Sequence, residues 1–158
     1  MQFECWKAED WKGFRRIATD PIVVHYLGTG KAWPDERIQE FVVRQIANWR
    51  ECGCCLWKLR EKRTGNFIGI CGLQPLAGTA EIEIGWWLGP ARCGQGLAKE
   101  AGREVRRFGF EVAKLVRIVA IAQPANRASI RVMVKTGMIF EKETVHKGIP
   151  VVLYALTP

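Results

Sequence analysis

The 158-residue sequence contains no apolar run of about 18 residues, and its first residues lack a basic stretch leading into an apolar core. These absences argue against a membrane span and a secretory signal and predict a cytoplasmic protein. Internal repeats, low-complexity segments and Pro/Gly-rich linkers are missing too, so residues 1–158 read as one continuous domain. At that length a single core can bury roughly 70% of the unfolded chain's surface. Six cysteines are present (5, 52, 54, 55, 71 and 93). Without an export signal they read as reduced thiols rather than a disulfide framework. Cys52-x-Cys54-Cys55 lacks the second ligand pair or nearby His that a structural zinc site needs, so no metal is expected.

Apolar residues make up 48% and charged residues 25% of the chain, which excludes disordered and fibrous classes. The net charge of +8 favours anionic partners without choosing among nucleotides, RNA and acidic surfaces. All seven Trp lie within the first 87 residues.

Residues 2–7 alternate like a short edge strand, and a helical stretch follows from Ala8 through Ile17. Asp20-Pro21 is a cap followed by proline at a first helical position, predicting a short helix to about Leu27. Ile38, Phe41, Val42, Ile46 and Trp49 recur at helical spacing and predict a long helix from Pro34 that ends before Gly53. Residues 55–60 and 67–71 flank Thr64-Gly65-Asn66 as a hairpin. Glu81 to Leu88 alternates, placing Ile82, Ile84, Trp86 and Leu88 on one face and Glu81, Glu83, Gly85 and Trp87 on the other. A helix is predicted over 95–113 and a doubly buried strand over 116–122. A short helix from Ser129 to Thr136 and two strands parted near Lys147-Gly148 complete the pattern.

The strongest chemical signal is the succession of strand 81–88, the turn Gly89-Pro-Ala-Arg92-Cys93-Gly94-Gln95-Gly96, and a helix. Such a turn aims unpaired backbone N–H groups and a helix N-terminus at one point, an arrangement suited to a pyrophosphate. A Walker loop would need Lys after Gly96, where Leu97 stands; a Rossmann fingerprint would need Gly or Ala at Lys99. Both fail on residue identity.

Together with Glu83-Ile-Gly-Trp-Trp-Leu, Asn126-Arg-Ala-Ser129-Ile-Arg131-Val-Met-Val-Lys135-Thr-Gly137-Met and the closing Pro150-Val-Val-Leu-Tyr-Ala-Leu, this turn resembles the GNAT (Gcn5-related) N-acetyltransferases, in their RimJ/RimL-like branch. The resemblance spans nearly the whole chain. It implies an α/β fold with a mixed sheet, the GNAT acyl-CoA N-acyltransferase fold: strand, two helices, three strands, helix, strand, helix, two strands. The fourth and fifth strands would splay apart around acetyl-CoA. The turn from Arg92 through Cys93, Gly94, Gln95 and Gly96 to Leu97 and Ala98 would hold the pyrophosphate. The backbone of Trp86, Trp87 and Leu88 would pair with the pantetheine, the Asn126 amide would bond it, and Arg131 and Lys135 would meet the 3′-phosphate. Where many of these enzymes carry a Tyr that protonates the leaving thiolate, this sequence has Met133, and Ser129 is the replacement that the resemblance suggests. Ala91 stands where the family's turn begins with Gln or Arg.

Acetyl transfer needs a neutral amine. At pH 7 an α-amine of pKa about 7.7 gives up its proton for about 1 kcal/mol, a lysine near 10.4 for about 4.6 kcal/mol. A thiol of pKa about 8.5 leaves as thiolate for about 2 kcal/mol, within reach of a weak donor such as a hydroxyl. Glu83, on the face of Gly85 and Trp87, is the first candidate base. Glu141, Glu143, His146 and the absence of any dedicated base stand as alternatives, and Ser129 also reads as a helix cap. Trp6, Trp33 and Trp87 are candidates for an acceptor pocket, Trp33 above all because it sits in a Gly/Pro-flanked loop between helices, where the resemblance implies the acceptor-binding segment; Trp11, Trp49, Trp57 and Trp86 read as core. The expected partners are acetyl-CoA and an amine, either a protein N-terminus or a small molecule, in a monomer or homodimer. A non-catalytic acyl-CoA-binding module is the alternative. A basic RNA- or ribosome-associated protein is a third, though no nucleic-acid motif accompanies the charge.

Overall fold

The protein is described by a computed structural model covering all 158 residues. A short strand, β1 (Gln2–Glu4), precedes three helices, α1 (Trp11–Ala18), α2 (Pro21–Val24) and α3 (Asp35–Cys52). Strands β2 (Leu56–Arg60), β3 (Phe67–Pro75) and β4 (Ile82–Leu88) follow, then α4 (Leu97–Arg107), β5 (Ile118–Ala122), α5 (Arg127–Lys135), β6 (Ile139–His146) and β7 (Ile149–Leu156). They form one seven-stranded sheet in the order β1-β2-β3-β4-β5-β7-β6, antiparallel except for β4 beside β5. No helix is long and apolar enough to cross a membrane.

Local chemistry sets the helix boundaries. Asp20 Oδ1 accepts from the N–H groups of Ile22 and Val23, a cap that stabilises α2 by about 1 kcal/mol. This cap makes α2 a separate element, as the residue pattern predicts, so three helices precede β2 where the resemblance implies two. The chain leaves the helix after Val24 in a turn closed by Leu27 N–H on Val24 O, short of the expected Leu27. Gly53, left-handed at φ 66°, ends α3 as expected.

Other boundaries move for tertiary reasons. β1 stops at Glu4 because Trp6 turns inward, its indole N–H donating to Leu56 O. The helix expected over 95–113 is α-helical only to Arg107; its last turn widens, with Ala113 N–H reaching Phe108 O. β5 starts at Ile118 rather than 116, because Val116 is 80% exposed and Arg117 turns out to ion partners. Asn126 rather than Ser129 caps α5.

Helices α1 and α3 cover one sheet face and α4 the other. On the first, Trp87 stacks on Phe14 and Phe41 at 5.6 and 5.8 Å, and Trp6 and Trp33 meet the same rings edge-on. Such aromatic pairs add about 0.5–1.5 kcal/mol each beyond the area they bury. Trp33, expected at the acceptor site, is therefore core, only 8% exposed and with Arg37 over its ring. Trp6 is buried likewise, whereas Trp49, expected in the core, is 39% exposed at the end of α3. A buried cation ties β2 to the N-terminal segment: the Lys58 ammonium lies against the carboxylates of Asp10 and, at 3.5 Å, Glu4.

Candidate active site

Strands β4 and β5 meet at a single register pair, Glu83 with Val119. From there they diverge toward Leu88 and Ala122. Arg117 fastens the closed end: its Nε donates to the Glu81 carboxylate at 3.0 Å and its Nη2 to Glu141 at 2.7 Å, joining the entries of β4 and β5 to β6. On its other edge β4 is fully used, with Trp86, Trp87 and Leu88 opposite Cys71, Ile70 and Gly69 of β3. The edge of residues 85–88 that faces β5 has no strand partner, so its backbone groups are available to an extended ligand.

At the open end the chain turns into α4. Arg92 N–H bonds Gly89 O and Cys93 N–H bonds Pro90 O. These two amides, expected among the anion donors, are bonded within the turn in the structure. The Arg92 guanidinium is also engaged, with Glu61 at 3.2 Å, and the Cys93 thiol points back to Leu88 O and Gly89 O. Beyond them Gly94 (φ 77°) and Gly96 (φ 79°) are left-handed and face open space where a Cβ would stand. Gln95 Nε2 braces the turn on Ala91 O at 2.8 Å. The first helical bond outside the turn is Glu100 N–H to Gly96 O, and no side chain caps α4. The amides of Leu97 and Ala98 therefore open on solvent with the positive helix end behind them.

Helix α5 follows β5 on the far side of the opening. Asn126 Oδ1 accepts from Ser129 N–H at 3.1 Å, which leaves the Asn126 NH₂ and the Ser129 hydroxyl without partners within the chain. Ser129 is half-buried in the first turn of α5 and is not its cap. Met133 is 1% exposed, so the thioether at the position where the resemblance implies a Tyr fills the interior. Arg131 and Lys135 are exposed and unpaired along α5.

Glu83 lies on the α3 face, at the vertex of the splay. Gln74, its cross-strand partner on β3, donates to Glu83 Oε1 at 2.6 Å. Burial raises the carboxyl's pKa above the usual range, opposed by the Gln74 bond and by the Lys147 ammonium at the β6–β7 turn. The rival bases are placed differently. Glu141 is tied to Arg117 at the closed end, and Glu143 is exposed in the edge strand β6. His146, at the end of β6, has its pKa lowered by burial and by Lys147. The sequence reading missed Gln45, Gln74 and Lys147; the one signal was a glutamine at a core position of the α3 stripe. It also missed Gln123, which donates to Tyr26 O at 3.2 Å and Gly28 O at 3.4 Å, tying the α2–α3 loop to the end of β5.

A family model described as "Acetyltransferase (GNAT) domain" matches residues 2–139. A Bacillus subtilis (strain 168) protein described as "Uncharacterized protein YkkB" is 33% identical over 144 residues, covering 89% of this chain and 82% of that one. Among solved structures, an acetyltransferase of the GNAT family from Bacillus anthracis superposes with a TM-score of 0.82 at 25% identity, covering 98% of this chain and 93% of that one. The aminoglycoside acetyltransferase AAC(6′)-Ib, solved in complex with coenzyme A, shares the fold with a TM-score of 0.81 at 15% identity, covering 99% and 94%.

Proposed function

Because this chain belongs to the GNAT acetyltransferase family, we propose that it is an acetyl-CoA-dependent N-acetyltransferase of the RimJ/RimL-like branch, acting on a primary amine by direct transfer. The observation that carries this reading is the continuity of the unpaired β4 edge with the open amides at the start of α4. One element offers an extended arm a strand to pair with, and the other receives a diphosphate.

Acetyl-CoA fits this arrangement and, when bound, supplies the thioester acetyl group. Trp86, Trp87 and Leu88 would pair with the pantetheine through their backbone. Gly94, Gln95, Gly96, Leu97 and Ala98 would hold the pyrophosphate through backbone N–H groups. The Asn126 NH₂ would bond the arm, and Arg131 and Lys135 would meet the 3′-phosphate.

Glu83 would take one proton from the incoming ammonium. As the new C–N bond forms and the C–S bond breaks, Ser129 would donate its hydroxyl proton to the departing sulfur and regain one from the nitrogen's second N–H through solvent, so that amide, thiol and the one proton taken by Glu83 balance the reaction. A carboxyl with a raised pKa is a better match for an amine proton than an ordinary surface one. An α-amine, which asks about 1 kcal/mol for deprotonation at pH 7, suits this single half-buried carboxyl better than a lysine at about 4.6 kcal/mol. This favours a protein N-terminus or a small α-amine as acceptor.

The test is a titration with acetyl-CoA followed by thiol release on addition of amine-terminated peptides and small amines. The reading expects a raised melting temperature and amine-dependent thiol release. Stabilisation with no release from any amine indicates a binding module instead. No response to acetyl-CoA refutes both.

A further inference from the structure

The apolar stripe of α3 carries one polar side chain, Gln45, which is 0% exposed. A buried primary amide is tolerated only when its donors and acceptor are met, so its partners identify its task. Gln45 Oε1 accepts from the Leu56 N–H at 2.8 Å. Gln45 Nε2 donates to Gln74 Oε1 at 3.1 Å, and Gln74 Nε2 donates to Glu83 Oε1 at 2.6 Å.

This relay has one direction only. A backbone N–H can only donate, so Gln45 must turn its oxygen to β2 and its NH₂ to Gln74. Gln74 must then turn its oxygen to Gln45 and its NH₂ to Glu83. The last atom, Glu83 Oε1, is thereby an acceptor whether the carboxyl is ionised or neutral. Oε2 has no partner within the chain. Reversing either amide would set two donors or two acceptors against each other, beginning at Gln45, which has no access to water.

We propose that Gln45 and Gln74 are positioning residues for Glu83: the relay from the Leu56 N–H pins Oε1 as a permanent acceptor and assigns the transferable proton to Oε2. This rests on the reading of Glu83 as the group that takes the acceptor's proton. The arrangement fixes the rotation of the carboxyl about its last bond, because turning it would bring a protonated oxygen against the Gln74 NH₂. The base therefore presents one oxygen, in one orientation, before the amine arrives. Lys147, from the β6–β7 turn, is the charge that acts on Glu83, and β3 faces it with the neutral Gln74 amide.

The relay is tested by titrating Glu83 directly, in protein labelled with ¹³C at its glutamate carboxyls, with the Glu83 resonance assigned as the one lost in Glu83→Gln. Removing the donor in Gln74→Met disfavours the ionised form and raises the midpoint by about half a pH unit or more. Gln45→Met touches no atom of Glu83, yet it frees Gln74 to rotate and moves the midpoint the same way by a smaller amount. Gln74→Met leaves the Leu56 N–H paired, so it decides the matter if Gln45→Met does not fold. An unmoved midpoint in folded Gln74→Met overturns the relay. The catalytic premise is read separately, from the pH profile of kcat/KM for thiol release from acetyl-CoA. If Glu83→Gln keeps the wild-type acid limb, Glu83 is not the base; if it loses that limb while Gln74→Met leaves the limb in place, the base stands and the positioning role falls.

Discussion

Gly96 offers a perturbation whose size follows from geometry. It sits at φ 79° and ψ −2° at the mouth of α4, and a Cβ built there meets no atom within 4 Å. Gly96→Ala therefore introduces no clash, only the strain of an L-residue in the left-handed region, about 1–2 kcal/mol. Restricting the unfolded chain offsets about 0.4–1 kcal/mol of this. If the turn keeps its shape, stability falls by up to about 1.5 kcal/mol and Tm by up to about 5 °C. If the turn relaxes, stability recovers, but acetyl-CoA must restore the strained shape to reach the amides, and its affinity falls about 5- to 30-fold. The strain must appear in one quantity or the other. Calorimetric unfolding and isothermal titration with acetyl-CoA read both. Gly78→Ala is the control: it is equally left-handed at φ 80° and equally open, but lies in the β3–β4 loop, so it should lose stability without losing affinity. Gly96→Ala unchanged in both measurements, or Gly78→Ala weakening acetyl-CoA as much, refutes the assignment.

Ser129→Ala should lower kcat at least about tenfold while leaving the KM for acetyl-CoA nearly unchanged; unaltered turnover in a steady-state thiol assay removes Ser129 from the mechanism. Asp10→Asn strands the Lys58 ammonium, which is 3% exposed, beside Glu4 alone, and should cost about 2–4 kcal/mol in denaturant unfolding. Lys58→Met removes the buried charge itself and should cost less; the reverse ranking would show that the pair is not what holds the N-terminal segment. Because burial raises the Glu83 pKa, its contribution to stability is full below the ordinary carboxyl pKa and declines as pH rises through the raised value. Glu83→Gln should abolish that decline, so its stability relative to wild type increases from acid to neutral pH. A pH-independent difference would contradict the burial of this carboxyl.

Local signals read well where one residue decides a local outcome. Asp20-Pro21 capped α2, Gly53 stopped α3, and alternation from Ile82 to Leu88 placed Glu83 and Trp87 on one face. The glycine turn was legible because its backbone requirement is written in residue type. Pairings between distant segments were not. Arg117 read as the start of a buried strand, and only the carboxylates of Glu81 and Glu141 draw it outward. Trp33 read as a pocket residue because its loop is flanked by Gly and Pro, yet the rings of Phe14, Phe41 and Trp87 close around it. Gln45 carries the right spacing for core and the wrong polarity. That contradiction was a signal the sequence reading passed over, and naming its partners required β2 and β3 to be in place.

The single pair between Glu83 and Val119 divides the sheet into a four-stranded and a three-stranded lobe, which Arg117 bridges at one end. An arm bound along the β4 edge would act as mortar in the seam, lending the fold cohesion that its own strands do not provide there. Each turnover would then end with the protein softer than it was mid-cycle. Amide hydrogen exchange in β5 and β7 should slow on acetyl-CoA binding and quicken again when the thiol departs, making the chemistry audible in the breathing of the sheet.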